Sequence, residues 1–257
     1  YKGLHPRNKK LKVSSDKKRI DFIDGDGNDS NASFKIKSGE VLGIAGLSNS
    51  GQREIFNMLM GVDNIAKGKI NFMDQRYEPN SPNDAWKKLI SFVPRERRKE
   101  ALMLKMSVKS NTTTPHYSKL SKFFFLANTQ QENLITNNYS KKVQLKYKNI
   151  NQSIYQLSGG NQQKIVFGKW LETEPDLLIL DEPTRGLDIS AKGEILKIAT
   201  DLANNGVSIL FISSELEELM KISDRYLILS ERYVVAELPG DSTQDSLISA
   251  LSKIVQG

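Results

Sequence analysis

The stretch LLILDEPTRGLD, Leu177–Asp188, joins an unbroken apolar run to a turn that opens on two carboxylates. An apolar run of this length without polar alternation suits a strand buried on both faces of a sheet. Working outward, a helical pattern covers about 190–204 and a second strand covers 207–212, with the apolar run Ile209–Ile212. A short helix falls near 215–222, further strands fall near 226–236, and a helix from about Asn161 precedes the run. Strand and helix alternating in this way predict an α/β fold, a mostly parallel sheet with crossover helices. Upstream, SFKIKSGEVLGIAG reads as two strands joined by a tight turn at Ser38-Gly39. From Gln52 the pattern turns helical, with Ile55, Met58 and Leu59 on one face and Gly61 as its stop.

The remaining segments frame this body. Residues 1–31 are polar and turn-rich, with DGDGND at Asp24 to Asp29. A calcium loop opening at Asp24 needs a closing Glu at position 35, which is Lys35, so the run reads as a turn between strands. The middle, Lys99 to Gln156, is Asn- and Lys-rich and helical where periodic, the pattern of a smaller insert. The tail STQDSLISALSK opens with a capping box, Ser242 to Asp245, and predicts a terminal helix. The expected division is one domain over 1–257: a core of about 1–98 and 157–240, a helical subdomain of about 99–165, and a C-terminal helix over 242–254.

Composition narrows the function classes. No apolar run approaches the ~20 residues needed to cross a bilayer, so any work at a membrane is expected to be peripheral. With no cysteine, disulfides and thiolate metal sites are excluded, and His5 and His116 are too few and too distant for a histidine-rich metal site. The net charge of +7 permits nucleic acid or anionic lipid as partners. Its basic residues are scattered and lack interleaved aromatics, so no nucleic-acid partner is expected. The first residue is Tyr1 and no signal-peptide pattern follows, which reads as a piece cut from something longer.

Three motifs carry chemistry. GLSNSGQREI, Gly46 to Ile55, has both glycines of the phosphate-loop pattern G-x-x-x-x-G-K-[ST] at Gly46 and Gly51. The next two positions hold Gln52 and Arg53 instead of lysine and a hydroxyl. Between an apolar strand and a helix, successive backbone N–H groups still form an anion site whatever the side chains are. In the second motif, Asp181 ends its strand where a carboxylate can hold Mg²⁺, weakly here, and Glu182 can polarise a water. The third is LSGGNQQK, Leu157–Lys164: two glycines beside Ser158 allow close backbone approach, and a helix starting there aims N–H groups at an anion.

Taken together, these motifs resemble the ATP-binding subunits of ABC transporters. The match runs from about residue 32 to 236, and the eight-residue signature at 157–164 is highly specific. SGGNQQK with DEPTRGLD and ISSELEEL is similar to the second nucleotide-binding half of simple-sugar and nucleoside importers, whose ATPase subunit carries two such halves in one polypeptide. The resemblance implies an ABC-type P-loop ATPase fold with antiparallel N-terminal strands and a helical insert, and ATP with Mg²⁺ as cofactors. It places nucleotide at Gly46, Leu47, Ser48, Asn49, Ser50, Gly51, Gln52, Arg53, Arg95 and Ser214. Ser158, Gly159 and Gly160 would act in trans on ATP held by the other half, and Gly186, Leu187 and Asp188 would touch that half. The implied partners are the first half of the same polypeptide, transmembrane permease subunits met by about Arg95 to Tyr117, and indirectly an external substrate-binding protein. The implied place is the cytoplasmic face of the membrane. Phe22 is the candidate for stacking on adenine, and the SGQRE form of the loop leans towards nucleoside-type relatives.

Four positions depart from the hydrolytic pattern that the resemblance implies. Gln52 replaces the phosphate-contacting lysine, Arg53 the Mg²⁺-binding hydroxyl, Arg95 a metal-sensing glutamine and Ser214 the switch histidine. Losing one charge-assisted hydrogen bond costs roughly 1.5–3 kcal/mol, about 10- to 150-fold in affinity. Glu182 alone does not offset these losses. Ser214 also forms an S-x-x-E capping box with Glu217, which gives it a structural role at the next helix. The expectation is an asymmetric pair, in which this half lends its signature and keeps a weak or silent site, with little or no ATPase activity alone. The competing readings are a scaffold half that binds no nucleotide and a non-transport ABC ATPase.

Overall fold

The computed structural model describes residues 18–24, 33–46, 50–64, 68–116, 129–171 and 173–256. The chain divides into two compact units: 1–92 with 176–182 and 199–257, and 93–175 with 183–198. In the first unit, β1 (Lys18–Asp24), β2 (Ser33–Lys37), β4 (Gly68–Phe72) and β5 (Gln75–Tyr77) form an antiparallel sheet in the order β2-β1-β4-β5. The larger sheet contains β3 (Val41–Gly46), β6 (Ile90–Val93), β7 (Leu177–Asp181), β8 (Ser208–Ile212), β9 (Arg225–Ser230) and β10 (Tyr233–Pro239). Its order is β10-β9-β3-β8-β7-β6; β3, β7, β8 and β9 run parallel, and β10 is antiparallel to β9.

Every residue of β7 and β8 is buried, as the unbroken apolar runs require of parallel strands covered on both faces. One face, with Leu42, Ile44, Leu177, Ile179, Leu210 and Ile212, shares a core with Phe34, Ile36, Ile70 and Phe72 of the smaller sheet. Helix α1 (Gln52–Leu59) joins this core through Ile55, Phe56 and Leu59 and ends before Gly61, whose φ of 67° is left-handed. A short helix, α2 (Pro82–Lys87), is capped by Ser81, whose Oγ accepts from the Asp84 N–H at 3.3 Å.

The second unit holds α3 (Val108–Thr113), α4 (Thr129–Lys142), α5 (Gly159–Leu171) and the first part of α6 (Ile189–Asn204). Helix α5 is buried from Gln162 to Lys169, and Gly168 leaves room for the Tyr139 ring, which a Cβ there would strike. Lys164 is buried and anchors α5 to α6 by pairing with Glu194 at 2.7 Å. Among its neighbours, Lys169 is also buried, and burial pushes its ammonium down to about 8.

Lys169 therefore binds its proton less tightly folded than unfolded. Below about pH 8 both states are protonated and the full burial cost is present; the cost fades as pH rises towards 10.5. Lys169→Met is expected to stabilise the chain at pH 7 by about 1–3 kcal/mol, less the lost bond to the Ala101 carbonyl. Chemical denaturation of both proteins at pH 7 and pH 10 checks this, because the gain should shrink at the higher pH.

Two sequence-derived caps are corrected. Helix α7 (Leu216–Ile222) has Glu215 at its N-cap, not Ser214, and no side chain completes an Ser214–Glu217 box. Instead the Ser213 hydroxyl accepts from the Glu215 N–H at 3.1 Å and donates to Glu218 at 2.7 Å. Helix α8 (Gln244–Gln256) is capped by Thr243, whose Oγ1 accepts from the Ser246 N–H at 3.2 Å; Ser242 stands one residue too early. The predicted turn at 24–29 lies beyond Asp24 outside the described residues, as do His5 and Tyr117.

Candidate functional site

Three strand ends of the first unit line up at the carboxyl edge of the large sheet. Ile44 of β3 is level with Ile212 of β8, and Ile212 is level with Asp181 of β7. With neighbouring strands about 5 Å apart, the segments that leave Gly46, Asp181 and Ile212 begin side by side. This edge is where open α/β sheets bind ligands.

The glycine loop leaves β3 here. Leu47, Ser48 and Asn49 lie outside the described residues, and the loop resumes at Ser50, which is buried. Gly51 precedes α1 with φ 102°, a left-handed value that favours glycine. It is also covered from far along the chain. A Cβ on Gly51 would sit 2.9 Å from the Arg232 Cα, and the Arg232 N–H donates to the Ser50 carbonyl at 2.9 Å.

Arg232 and Glu231 form the two-residue turn between β9 and β10, both with left-handed φ (72° and 48°), a strain of about 1–3 kcal/mol per residue. The Arg232 guanidinium stands 3.6 Å from Glu54 on the surface. Gln52 folds back towards the loop, its Nε2 only 2.6 Å from where a Cβ on Gly46 would lie. Arg53 is exposed.

At the adjoining strand ends, Asp181 is buried. Glu182 continues the β7–β8 ladder, its N–H donating to the Ile212 carbonyl at 3.0 Å, with a left-handed φ of 47°. Both carboxylate oxygens meet Ser214: Oε1 accepts from the Ser214 N–H at 2.8 Å and Oε2 from its hydroxyl at 3.3 Å. Divalent cations of the Mg²⁺ kind need several oxygen ligands. Position 53 offers a guanidinium, Glu182 is engaged by Ser214, and no group of three or more His, Cys, Asp and Glu suited to a metal occurs among the described residues.

In the second unit, Ser158 caps α5. Its carbonyl accepts from the Gln162 N–H at 2.9 Å, and its hydroxyl accepts from the Asn161 N–H at 3.4 Å and the Asn161 Nδ2 at 3.0 Å. Ser158 is exposed. The glycines beside it allow close approach by protein: a Cβ on Gly159 would sit 2.9 Å from Arg97 Nη2, and one on Gly160 2.8 Å from the Ala191 Cβ. Arg97 donates to the Arg185 carbonyl at 2.9 Å, and Arg185 reaches back to Glu96 at 2.9 Å. Burial, and then the neighbouring Arg98, lowers the Arg97 guanidinium from its ordinary value.

Gly186 is exposed with φ 69°, the Leu187 N–H donates to the Thr184 carbonyl at 3.1 Å, and Asp188 caps α6 by accepting from the Ala191 N–H at 2.9 Å. Arg95 belongs to this unit and is half-buried.

The first unit thus gathers Gly46, Ser50, Gly51, Asp181, Glu182 and Ser214 at one sheet edge; the second gathers Ser158–Gly160 with Gly186–Asp188. Phe22 lies in β1, with its side chain outside the described residues. Arg232 and Arg97 were missed from sequence. The run RERR, Arg95–Arg98, hinted at the latter, and nothing local marked the former. An open cleft of about 220 Å³ near Phe72, Lys88 and Asp176 includes none of the predicted site residues.

Known proteins agree with this architecture. The family model described as ABC transporter matches residues 30–185, more than half of the chain. The ribose import ATP-binding protein RbsA of Caldanaerobacter subterraneus subsp. tengcongensis is 39% identical over 216 residues, 84% of this chain and 44% of the relative. The xylose import ATP-binding protein XylG of Thermoanaerobacter pseudethanolicus is 40% identical over 210 residues, 81% of this chain and 41% of the relative. The chain spans less than half the length of these two relatives.

The crystal structure of a nucleotide-free ATP-binding cassette from an ABC transporter superposes with TM-score 0.74 at 18% identity, covering 93% of this chain and 98% of that one. A dimeric post-hydrolysis cassette bound to ADP and Pi gives 0.70 at 19% identity, covering 88% and 99%. A mostly parallel sheet with a glycine loop after β3, an antiparallel sheet beside it in sequence and a helical unit define an ATP-binding-cassette fold. The chain belongs to the ABC transporter family.

Proposed function

We propose that this chain is the second nucleotide-binding half of the ATP-binding subunit of an importer for a simple sugar. The ribose and xylose import relatives support a sugar over a nucleoside, and the matched length, under half of each, suits one half of a two-half subunit. In this reading the chain works at the cytoplasmic face of the membrane with the first half, permease subunits and, indirectly, an external binding protein. No helix among the described residues is long and apolar enough to cross a membrane, which suits a peripheral place.

The observation that carries the reading is the unequal condition of the two motifs. The signature is intact, with Ser158 capping an exposed helix start. The glycine loop keeps Gly46 and Gly51 but carries Gln52 and Arg53. Ser158, Gly159 and Gly160 complete the ATP site of the first half, where ATP supplies the phosphoryl chemistry. The loop of this half binds nucleotide weakly, holds Mg²⁺ poorly and turns ATP over slowly or not at all.

Calorimetric titration of the chain with ATP, with and without Mg²⁺, tests this. Micromolar binding that is indifferent to Mg²⁺ is expected if the backbone and Arg53 hold the phosphates. Binding that strengthens strongly with Mg²⁺ would overturn the reading of a degenerate site. No binding up to millimolar ATP would leave the signature as the sole contribution of this half.

A further inference from the structure

We propose that Ser214 clamps Glu182 and thereby silences the one carboxylate this half retains for polarising water; the inference rests on the role given to Glu182 above. The contact is made at two points. The Ser214 N–H reaches Oε1 at 2.8 Å and the Ser214 hydroxyl reaches Oε2 at 3.3 Å, so the plane of the carboxylate is fixed as well as its position. Glu182 adopts a left-handed φ of 47°, which few non-glycine residues take.

The segment that holds Glu182 is itself pinned. The Ser213 hydroxyl donates to Glu218 at 2.7 Å and accepts from the Glu215 N–H at 3.1 Å, and Glu218 is buried. The two adjacent serines thus divide the work: one secures the entry to α7, the other secures Glu182. Turning the carboxylate towards a water breaks both bonds to Ser214. Since one charge-assisted hydrogen bond is worth roughly 10- to 150-fold in an equilibrium, the released form is a small minority. Ser214 is a positioning residue in this account, acting through Glu182.

Hydrogen exchange at the Ser214 amide, together with carbodiimide–amine labelling of Glu182, tests the clamp in the whole chain without nucleotide. The Ser214 amide should exchange at least ~10-fold more slowly in the parent than in Glu182→Ala, and Glu182→Gln, which still offers an acceptor oxygen, should keep part of the protection. The Glu215 amide, held by Ser213, serves as the fold control and should not change. Ser214→Ala removes the weaker contact and should raise labelling of Glu182 by roughly 3- to 10-fold, a readout that a purely structural serine would not move.

Equal exchange of the Ser214 amide in the parent and Glu182→Ala would overturn the clamp. So would equal labelling of Glu182 in the parent and Ser214→Ala. Neither measurement involves ATP, so a failed ATP titration counts against the proposed function and leaves this result standing.

Discussion

Replacing Ser158 by alanine in the full-length subunit is expected to lower transport-coupled ATP hydrolysis by about 100-fold, the usual loss for one pre-positioned donor at a developing charge. The geometry explains why a single hydroxyl carries so much. Both hydrogen bonds that the Ser158 oxygen accepts come from Asn161, at 3.4 and 3.0 Å. A serine has one proton to donate, so that proton is left for an anion in front of α5, where helix N–H groups and the dipole already favour negative charge. Alanine also removes a helix cap worth ~1 kcal/mol, so the melting temperature must be followed alongside turnover. A 100-fold loss with a shift of only a few degrees would locate the effect in chemistry. Glu182→Gln should cost less, because the proposed asymmetry gives the slower site to this half. Equal losses from the two substitutions would remove the asymmetry between the halves.

The second large effect is a gain. Gln52→Lys combined with Arg53→Thr restores the side chains that the glycine loop lacks, and ATP is expected to bind about 10- to 150-fold more tightly, with a new dependence on Mg²⁺. The fold already suits the change. Gly51 holds its left-handed turn under Arg232, and the Gln52 side chain folds back towards Gly46, the direction a lysine needs to lie over the loop. The threonine at position 53 supplies a metal-binding oxygen where a guanidinium now stands. Titration calorimetry of the double variant reads both consequences. Unchanged affinity would mean that the segment around Gly46 and Gly51 does not hold phosphate.

The large sheet was legible because its information is local. Leu177–Leu180 and Ile209–Ile212 are unbroken apolar runs, a pattern that suits strands covered on both faces. The start of α5 was placed within two residues, since Ser158 and its glycines mark it in sequence. Cap positions were less secure. Ser214–Glu217 and Ser242–Asp245 both have the spacing of a capping box, and neither forms one. A capping box needs its serine at the residue where the backbone leaves the helix, and packing sets that residue to within one position. In each case a neighbour, Glu215 or Thr243, holds the place.

By itself the sequence determined the α/β class and most strands of the large sheet, β6 excepted, and it carries the spacing of the glycine loop and of the LSGG run. Each of these is written in periodicity, or in spacing within a few residues. Tertiary structure alone decided what surrounds them. Arg232 reaches Gly51 because β9 pairs with β3, and Glu182 reaches Ser214 because β7 pairs with β8. Strand order brings residues far apart in the chain within hydrogen-bond distance, and no local pattern records which strands become neighbours.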